Sequence, residues 1–210
     1  MAKAPSSGRL PAAKRKAQLL HAAALVFAQR GYSGTTTAEL AKAAGITEPI
    51  IYRHFSGKRE LFIALVEQTG QDTIREWEEQ LRTAKDPAER LSRLVTANPM
   101  VSNRESVVYR VIVQAMMEID DQDIRAALHN HVAKLHQFLQ AEVARAQDGG
   151  QVSKRFSPEI TAWALIELAI GYGVLSATRF PGHGLDKTGK HVSDVIGQLM
   201  LGERYKRAEG

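Results

Sequence analysis

The chain of 210 residues is 44% hydrophobic and 24% charged, with a formal net charge of +5 and no cysteine. That balance excludes a wholly disordered or fibrous chain, and the length suffices for one large domain or for a small domain beside a larger one. Without cysteine there are no disulfides, thiolate metal ligands, cysteine nucleophiles or thiol redox sensors.

Residues 1–13, rich in Ala, Pro and Ser with scattered bases, predict a disordered basic arm. From Lys14 the apolar residues Leu19, Leu20, Ala23, Val26 and Phe27 recur at helical spacing until Gly31 stops the run. Thr36 and Glu39 form a capping-box pair for a second helix over 37–44, which Gly45 ends in a left-handed C-cap. Thr47 is placed to cap a third, short helix over 48–54, with Pro49 in its first turn. A fourth helix follows Ser56 and runs to about residue 84. Asp86, Pro87 and Glu89 start a fifth over 87–97, and two more cover 104–119 and 121–147. Gly149-Gly150 breaks the last of these, Ser157-Pro158-Glu159 restarts a helix to about 179, and a final helix spans 189–203. No stretch alternates with period two, so the fold class is all-α. The apolar run 162–175 contains Glu167 and is shorter than a bilayer span. No cleavable leader opens the chain, which predicts a cytoplasmic protein without a membrane partner.

The net charge hides an uneven distribution. Residues 1–60 hold ten bases and three acids, a net +7, which leaves −2 for the remaining chain. A basic front on a slightly acidic body suggests that the front meets a polyanion, although a solvated basic face has the same composition.

Motifs decide between these readings. Two short helices with Gly45 at the corner form a helix-turn-helix pattern in which Leu40, Ala41, Ala44, Ile46 and Ile51 clamp the pair. Around it stand Gly31-Tyr32-Ser33-Gly34-Thr35-Thr36-Thr37, Leu40-Ala41-Lys42-Ala43-Ala44-Gly45-Ile46-Thr47 and Tyr52-Arg53-His54-Phe55-Ser56-Gly57-Lys58-Arg59-Glu60-Leu61. Through these residues the chain resembles the TetR family of bacterial repressors, over about residues 14–65. Beyond residue 70 the likeness is one of length, helical content and order.

The resemblance implies an N-terminal three-helix DNA-binding domain over 14–60. It also implies a helical effector-binding and dimerisation domain over 61–210. By position, Tyr52 and Lys58 contact phosphate, and Thr36 and Thr37 offer hydroxyls and amides at a helix start. Thr47, Glu48, Pro49, Ile50, Arg53 and His54 occupy or flank the surface facing the groove. There Glu48 can accept from cytosine, Ile50 can pack on a thymine methyl, and Arg53 can read guanine or hold phosphate. Phe27, Tyr32 and Phe55 read as core.

For the body, the resemblance implies a four-helix dimer interface from the last two helices of each subunit. Ala169, Gly171 and Gly173 would allow close approach there, with Val192, Val195, Ile196 and Leu199 supplying apolar contacts. Met100, Tyr109, Met116, Met117, Phe138 and Trp163 are candidates to line an effector pocket, and each serves equally as ordinary core. Glu118 and Glu167 could pair with a cationic effector or remain solvated. His129 and His136 share a helix face two turns apart while His131 lies elsewhere, a spacing that builds no zinc site. The expected partners are therefore a double-stranded DNA operator, a second copy of the chain and an unidentified small-molecule effector, with no metal and no cofactor. A chromosome-organising DNA-binding protein without an effector is the alternative. An enzyme is not indicated: the sequence has no Gly-x-Ser-x-Gly and no phosphate-cradling glycine loop.

Overall fold

The computed structural model describes residues 11–96, 107–177 and 180–201, except for the side chains of Val108, Tyr109 and Ala177. The described residues form helices α1 (Ala12–Arg30), α2 (Thr37–Ala43), α3 (Glu48–Ile51), α4 (Lys58–Leu81), α5 (Pro87–Thr96), α6 (Val107–Met117), α7 (Gln122–Asp148), α8 (Pro158–Ala177) and α9 (Val192–Leu201). The fold is all-α, as the periodicity predicts. Two compact units divide inside α4, between Leu65 and Val66.

The first unit closes around a small core. Leu19, Ala23 and Phe27 of α1, Leu40 and Ala41 of α2, Ile51 of α3, and Leu61 and Phe62 of α4 are all buried. Phe62 meets Phe27 edge-on with ring centroids 5.0 Å apart, and Tyr32 lies 4.6 Å from Phe62. Tilted and edge-on geometries of this kind let ring edges meet ring faces.

In the second unit α7 packs on α5, α6 and α8, and α5 packs on α9. Its core gathers Trp77, Leu91, Leu94, Leu135, Leu139, Val143, Ala162 and Ile166. One carboxylate is fully buried here. Glu142 of α7 receives Arg90 of α5 in a bidentate pair at 2.7 and 2.6 Å, and Arg145 joins it from the next turn. Burial opposes ionisation of Glu142, but the hydrogen bonds from Arg90 and Arg145 outweigh it and hold the carboxyl below its ordinary range. Arg90 also donates to the Leu81 carbonyl at 3.0 Å, so one guanidinium satisfies both that carboxylate and the end of α4.

Helix ends follow the side chains that cap them. Asp86 accepts from the Glu89 amide at 2.8 Å, and Asp121 accepts from Asp123 and Ile124 at 3.0 and 3.1 Å. The last helix starts three residues later than its hydrophobic pattern suggests. Asp186 ties Thr188 and Lys190 into a loop, at 2.8 and 2.9 Å to their amides. His191 then caps α9: its Nδ1 accepts from the Ser193 amide at 3.1 Å, and Asp194 accepts from the His191 amide at 2.7 Å. A histidine in this role carries no common sequence signature.

The α8 helix starts at Pro158, as the Ser157-Pro158-Glu159 signal predicts, and its apolar stretch is longer than the run 162–175. Pro158–Ser176 has a mean hydropathy of 1.3 and is, by length and composition alone, long and apolar enough to cross a membrane. Ser157, whose hydroxyl accepts from the Ile160 amide at 3.3 Å, starts the helix four residues ahead of the apolar run.

His131 of α7 is the buried histidine of this unit, 4% exposed. Burial, with a smaller contribution from the Lys134 charge, lowers its pKa from 6.5 to about 4. The unfolded chain therefore binds a proton at His131 that the folded chain refuses between about pH 6.5 and pH 4. The resulting stability is complete above that window and is lost as pH falls through it. Urea unfolding of the native chain and of His131→Gln at pH 7 and pH 4.5 should show the native chain losing about 2–3 kcal/mol more than the variant. Parallel losses would mean that His131 takes up its proton in the fold.

Candidate nucleic-acid interface

The site is built by the turn that separates α2 from α3. Thr36 takes extended backbone ahead of α2, its hydroxyl accepting from the Glu39 amide at 3.3 Å while Glu39 accepts from the Thr36 amide at 2.9 Å. This is the capping box that the sequence predicts. The Thr36 amide and hydroxyl hold the Glu39 carboxyl below its ordinary range, and Arg30 pairs with it from the end of α1. At the other end of α2, Gly45 sits at φ +66°, a left-handed conformation that a side chain would strain. The Ile46 amide returns to the Ala41 carbonyl at 3.0 Å, closing a Schellman turn that redirects the chain into α3.

Thr47 takes extended backbone before α3, but its side chain makes no cap hydrogen bond. The reason is local. Pro49 has no N–H, and the Ile50 amide is already bonded to the Thr47 carbonyl at 2.9 Å. The regular part of α3 is also shorter than its pattern, Glu48–Ile51, with residues 52–54 continuing as a turn. Ile51 is buried, whereas Pro49, Tyr52 and Arg53 are exposed and Glu48, Ile50 and His54 are half-buried. Tyr52 is 54% exposed although Phe27 and Phe55, two aromatic residues of the same unit, are buried. Thr36 and Thr47 are exposed and Thr37 is half-buried. The expected groove-facing residues are thus exposed or half-buried, next to the buried Ile51.

Lys58 at the start of α4 has a partner that its spacing does not disclose. Its ammonium donates to the Tyr32 carbonyl at 2.9 Å and lies 4.4 Å from the centre of the Tyr32 ring. Two of its three N–H bonds remain for another acceptor. Glu60 accepts from the Ser56 amide at 2.6 Å, and this bond holds its carboxyl below the ordinary range. The Lys16 ammonium stands 5.6 Å over the Phe55 ring.

The four expected pocket residues whose side chains are described have different surroundings in the second unit. Phe138 packs on Trp77 with ring centroids 5.6 Å apart. Met116 is half-buried, and Met117 is 79% exposed at the last turn of α6. Trp163 is exposed on α8 and stacks on His136 at 4.4 Å. Met100 lies outside the described residues, as does the side chain of Tyr109. A cavity in this unit, with about 360 Å³ of unfilled space that includes open solvent, is lined by Leu94, Val95, Leu139, Leu165, Leu168, Ala169 and Ile196. Met116, Met117, Phe138 and Trp163, the expected residues whose side chains are described, do not line it.

The proposed dimer face divides in two. Gly171, Val192, Val195 and Leu199 are exposed and Ile196 is half-buried. Ala169 and Gly173 are instead buried within the chain, because they share the inward stripe of α8 with Ala162 and Ile166. Leu168, Val174 and Leu175, which the sequence reading omits, are 45–54% exposed on that helix.

Residues 19–65 match the family model for bacterial regulatory proteins of the tetR family. The chain is 37% identical to the transcriptional activator FasR of Mycolicibacterium smegmatis over 50% of its own length and 48% of that protein. It is 27% identical to the nucleoid occlusion factor SlmA of Marinobacter nauticus, over 60% of this chain and 63% of the other. The chain thus spans about half to two thirds of the length of these two relatives. A transcriptional regulator from Saccharomonospora viridis, solved in complex with choline, shares the fold with a TM-score of 0.74 at 20% identity, over 89% of this chain and 93% of that one. The capped α2, the Gly45 turn and the exposed face of α3 all fall inside the matched residues. Residues 19–65 thus carry the helix-turn-helix region of the tetR family of bacterial regulatory proteins.

Proposed function

We propose that the protein is a homodimeric repressor that binds a near-palindromic operator and leaves it when a small molecule binds the body. The observation that carries this reading is the exposed surface of α3, where Pro49, Tyr52 and Arg53 stand out from a helix anchored by buried Ile51. A +7 front supplies the attraction to phosphate. In this reading residues 14–60 are the DNA-binding head and residues 61–210 the effector and dimer body. Tyr52 and Lys58 hold phosphate, with Thr36 and Thr37 beside a helix start. Thr47, Glu48, Pro49, Ile50, Arg53 and His54 occupy or flank the surface that meets base edges.

Exposed apolar side chains on α8 and α9 support the dimer, since a partner over them would remove them from water. A partner there also accounts for the length and apolar character of α8 without a membrane, in keeping with a cytoplasmic protein. Two heads in an isologous dimer would stand about 34–36 Å apart, one turn of DNA. The ligand need only bind more tightly when that spacing is wrong for the operator. The choline complex of the Saccharomonospora viridis regulator supports a body that accepts small molecules.

The match to SlmA favours one other reading, a DNA-binding chromosome organiser with no effector. Selection of bound DNA from random sequence, followed by footprinting on the chromosome, separates the two. One or two operators support the regulator; many dispersed sites with oligomer growth support the organiser. Because FasR is an activator, reporter transcription from the selected operator decides the direction of control.

Tyr52→Phe should weaken binding to all sequences by about fivefold, the loss of one modest hydrogen bond. Lys58→Ala should also weaken binding uniformly and lower the salt slope by about one. A change of preferred operator in gel shifts would remove the phosphate assignment of the residue concerned. Val195→Glu should give monomers in analytical ultracentrifugation, and an intact dimer would rule out α9 as the interface. For the switch, a ligand that titrates tightly by calorimetry must also lower operator affinity; binding without that change refutes release.

A further inference from the structure

A seam between α4 and α7 carries two buried polar atoms for which the described residues supply no partner. On α4, Gly70, Thr73 and Trp77 fall on one stripe, and on α7, His131, Leu135 and Phe138 do the same. The stripes meet at two levels. Gly70 lies so close to His131 that a β-carbon there would stand 2.6 Å from Nδ1. Seven residues further along each helix, the Trp77 and Phe138 ring centroids are 5.6 Å apart. Equal steps on both helices mean that they run in the same direction here, with the two levels about 10 Å apart.

Most polar groups along this seam are satisfied. Thr73 donates its hydroxyl to the Thr69 carbonyl at 2.9 Å. Among the described residues, the buried side-chain nitrogens without a hydrogen-bond partner are Trp77 Nε1 and His131 Nδ1, in residues 3% and 4% exposed. Interiors pair such atoms as a rule, and two exceptions on one helix seam point to a partner other than the described residues. The indole N–H can only donate, so that partner must present an acceptor, whereas Nδ1 donates or accepts according to its tautomer.

We propose that this seam receives a neutral, mainly apolar ligand bearing a hydroxyl or carbonyl oxygen that accepts from Trp77 Nε1 and a second neutral polar group, about 10 Å away, that meets His131 Nδ1. The proposal rests on the reading of the body as an effector domain. Neutrality follows from the charges nearby. Glu142 already has Arg90 and Arg145, and His131 is held uncharged at neutral pH by its burial. A carboxylate or ammonium would enter this seam without a buried counter-charge. The apolar character follows from Leu135, Phe138 and the indole ring itself.

The test uses the full chain and three frames, naphthalene, cyclohexane and decyl, each carrying a hydroxyl, a carboxylate or an ammonium group. Calorimetry should find the hydroxyl member binding at least tenfold more tightly than its charged counterparts on one frame or more. Trp77→Phe, which keeps a ring and removes the N–H, should lower that affinity about fivefold. In the unsubstituted protein the Trp77 indole N–H resonance, distinguished from that of Trp163 by Trp163→Phe, should move on addition of the same probe. The proposal is overturned if a charged member binds best, if no probe binds, if the indole resonance stays in place, or if Trp77→Phe binds as the native chain does. Gel shifts on selected DNA keep the two readings apart. A hydroxyl probe that moves the Trp77 resonance without changing DNA affinity defeats ligand release and leaves the seam intact. A probe that releases DNA without moving it does the reverse.

Discussion

The left-handed peptide at Gly45 is the constraint from which the helix-turn-helix unit follows. With φ at +66°, the chain leaves α2 at once, and the Ile46 amide can reach back to Ala41. Any residue with a β-carbon would pull this turn toward ordinary helical or extended backbone. Ile51 would then lose its place in the core, and the exposed side of α3 would lose its orientation. The capping box at Thr36 sets the other end of α2, so a helix of seven residues has both of its termini fixed. Short helices are marginal by themselves, and here end groups and core contacts together do what length does elsewhere.

The second unit is governed by a different balance, that of polar groups placed inside an apolar bundle. Glu142 shows the closed solution, with two guanidiniums offsetting the cost of burying its charge. Such a pair adds less to stability than to register, since Arg90 reaches Glu142 only when α5 and α7 are correctly aligned. His131 and Trp77 show the open solution, in which burial is kept and the hydrogen bond is not. Apolar faces on α8 and α9 add a third kind of unfinished surface. Closed, open and uncovered groups thus occupy distinct parts of one bundle.

Much of this was legible in the sequence where the signal is local. The capping box of Thr36 and Glu39, the Gly45 stop and the buried roles of Phe27 and Phe55 each depend on residues within a few positions of one another. The Thr47 cap shows the limit: the residue type is right, but Pro49 and the Ile50 amide leave no donor for its hydroxyl. Contacts between distant residues were not legible. Nothing in the spacing of Lys58 announces the carbonyl of Tyr32, and nothing around His131 announces Gly70. The inward stripe of α8 was hidden for another reason. That helix is apolar on almost every side, so pattern alone does not say that Ala169 and Gly173 face the core.

The Lys58 contact has a consequence for binding. A solvated lysine samples many rotamers and gives up about 2 kcal/mol of side-chain entropy when it is immobilised. The Lys58 stem is already held, with the Tyr32 carbonyl at 2.9 Å and the Tyr32 ring beneath the ammonium. Part of the ordering that an ion contact requires is therefore completed when the head folds, and its cost is carried by folding. Under the proposed phosphate role of Lys58, an arriving phosphate would meet a charge of fixed location, which would make the arm a ruler as well as an attractor.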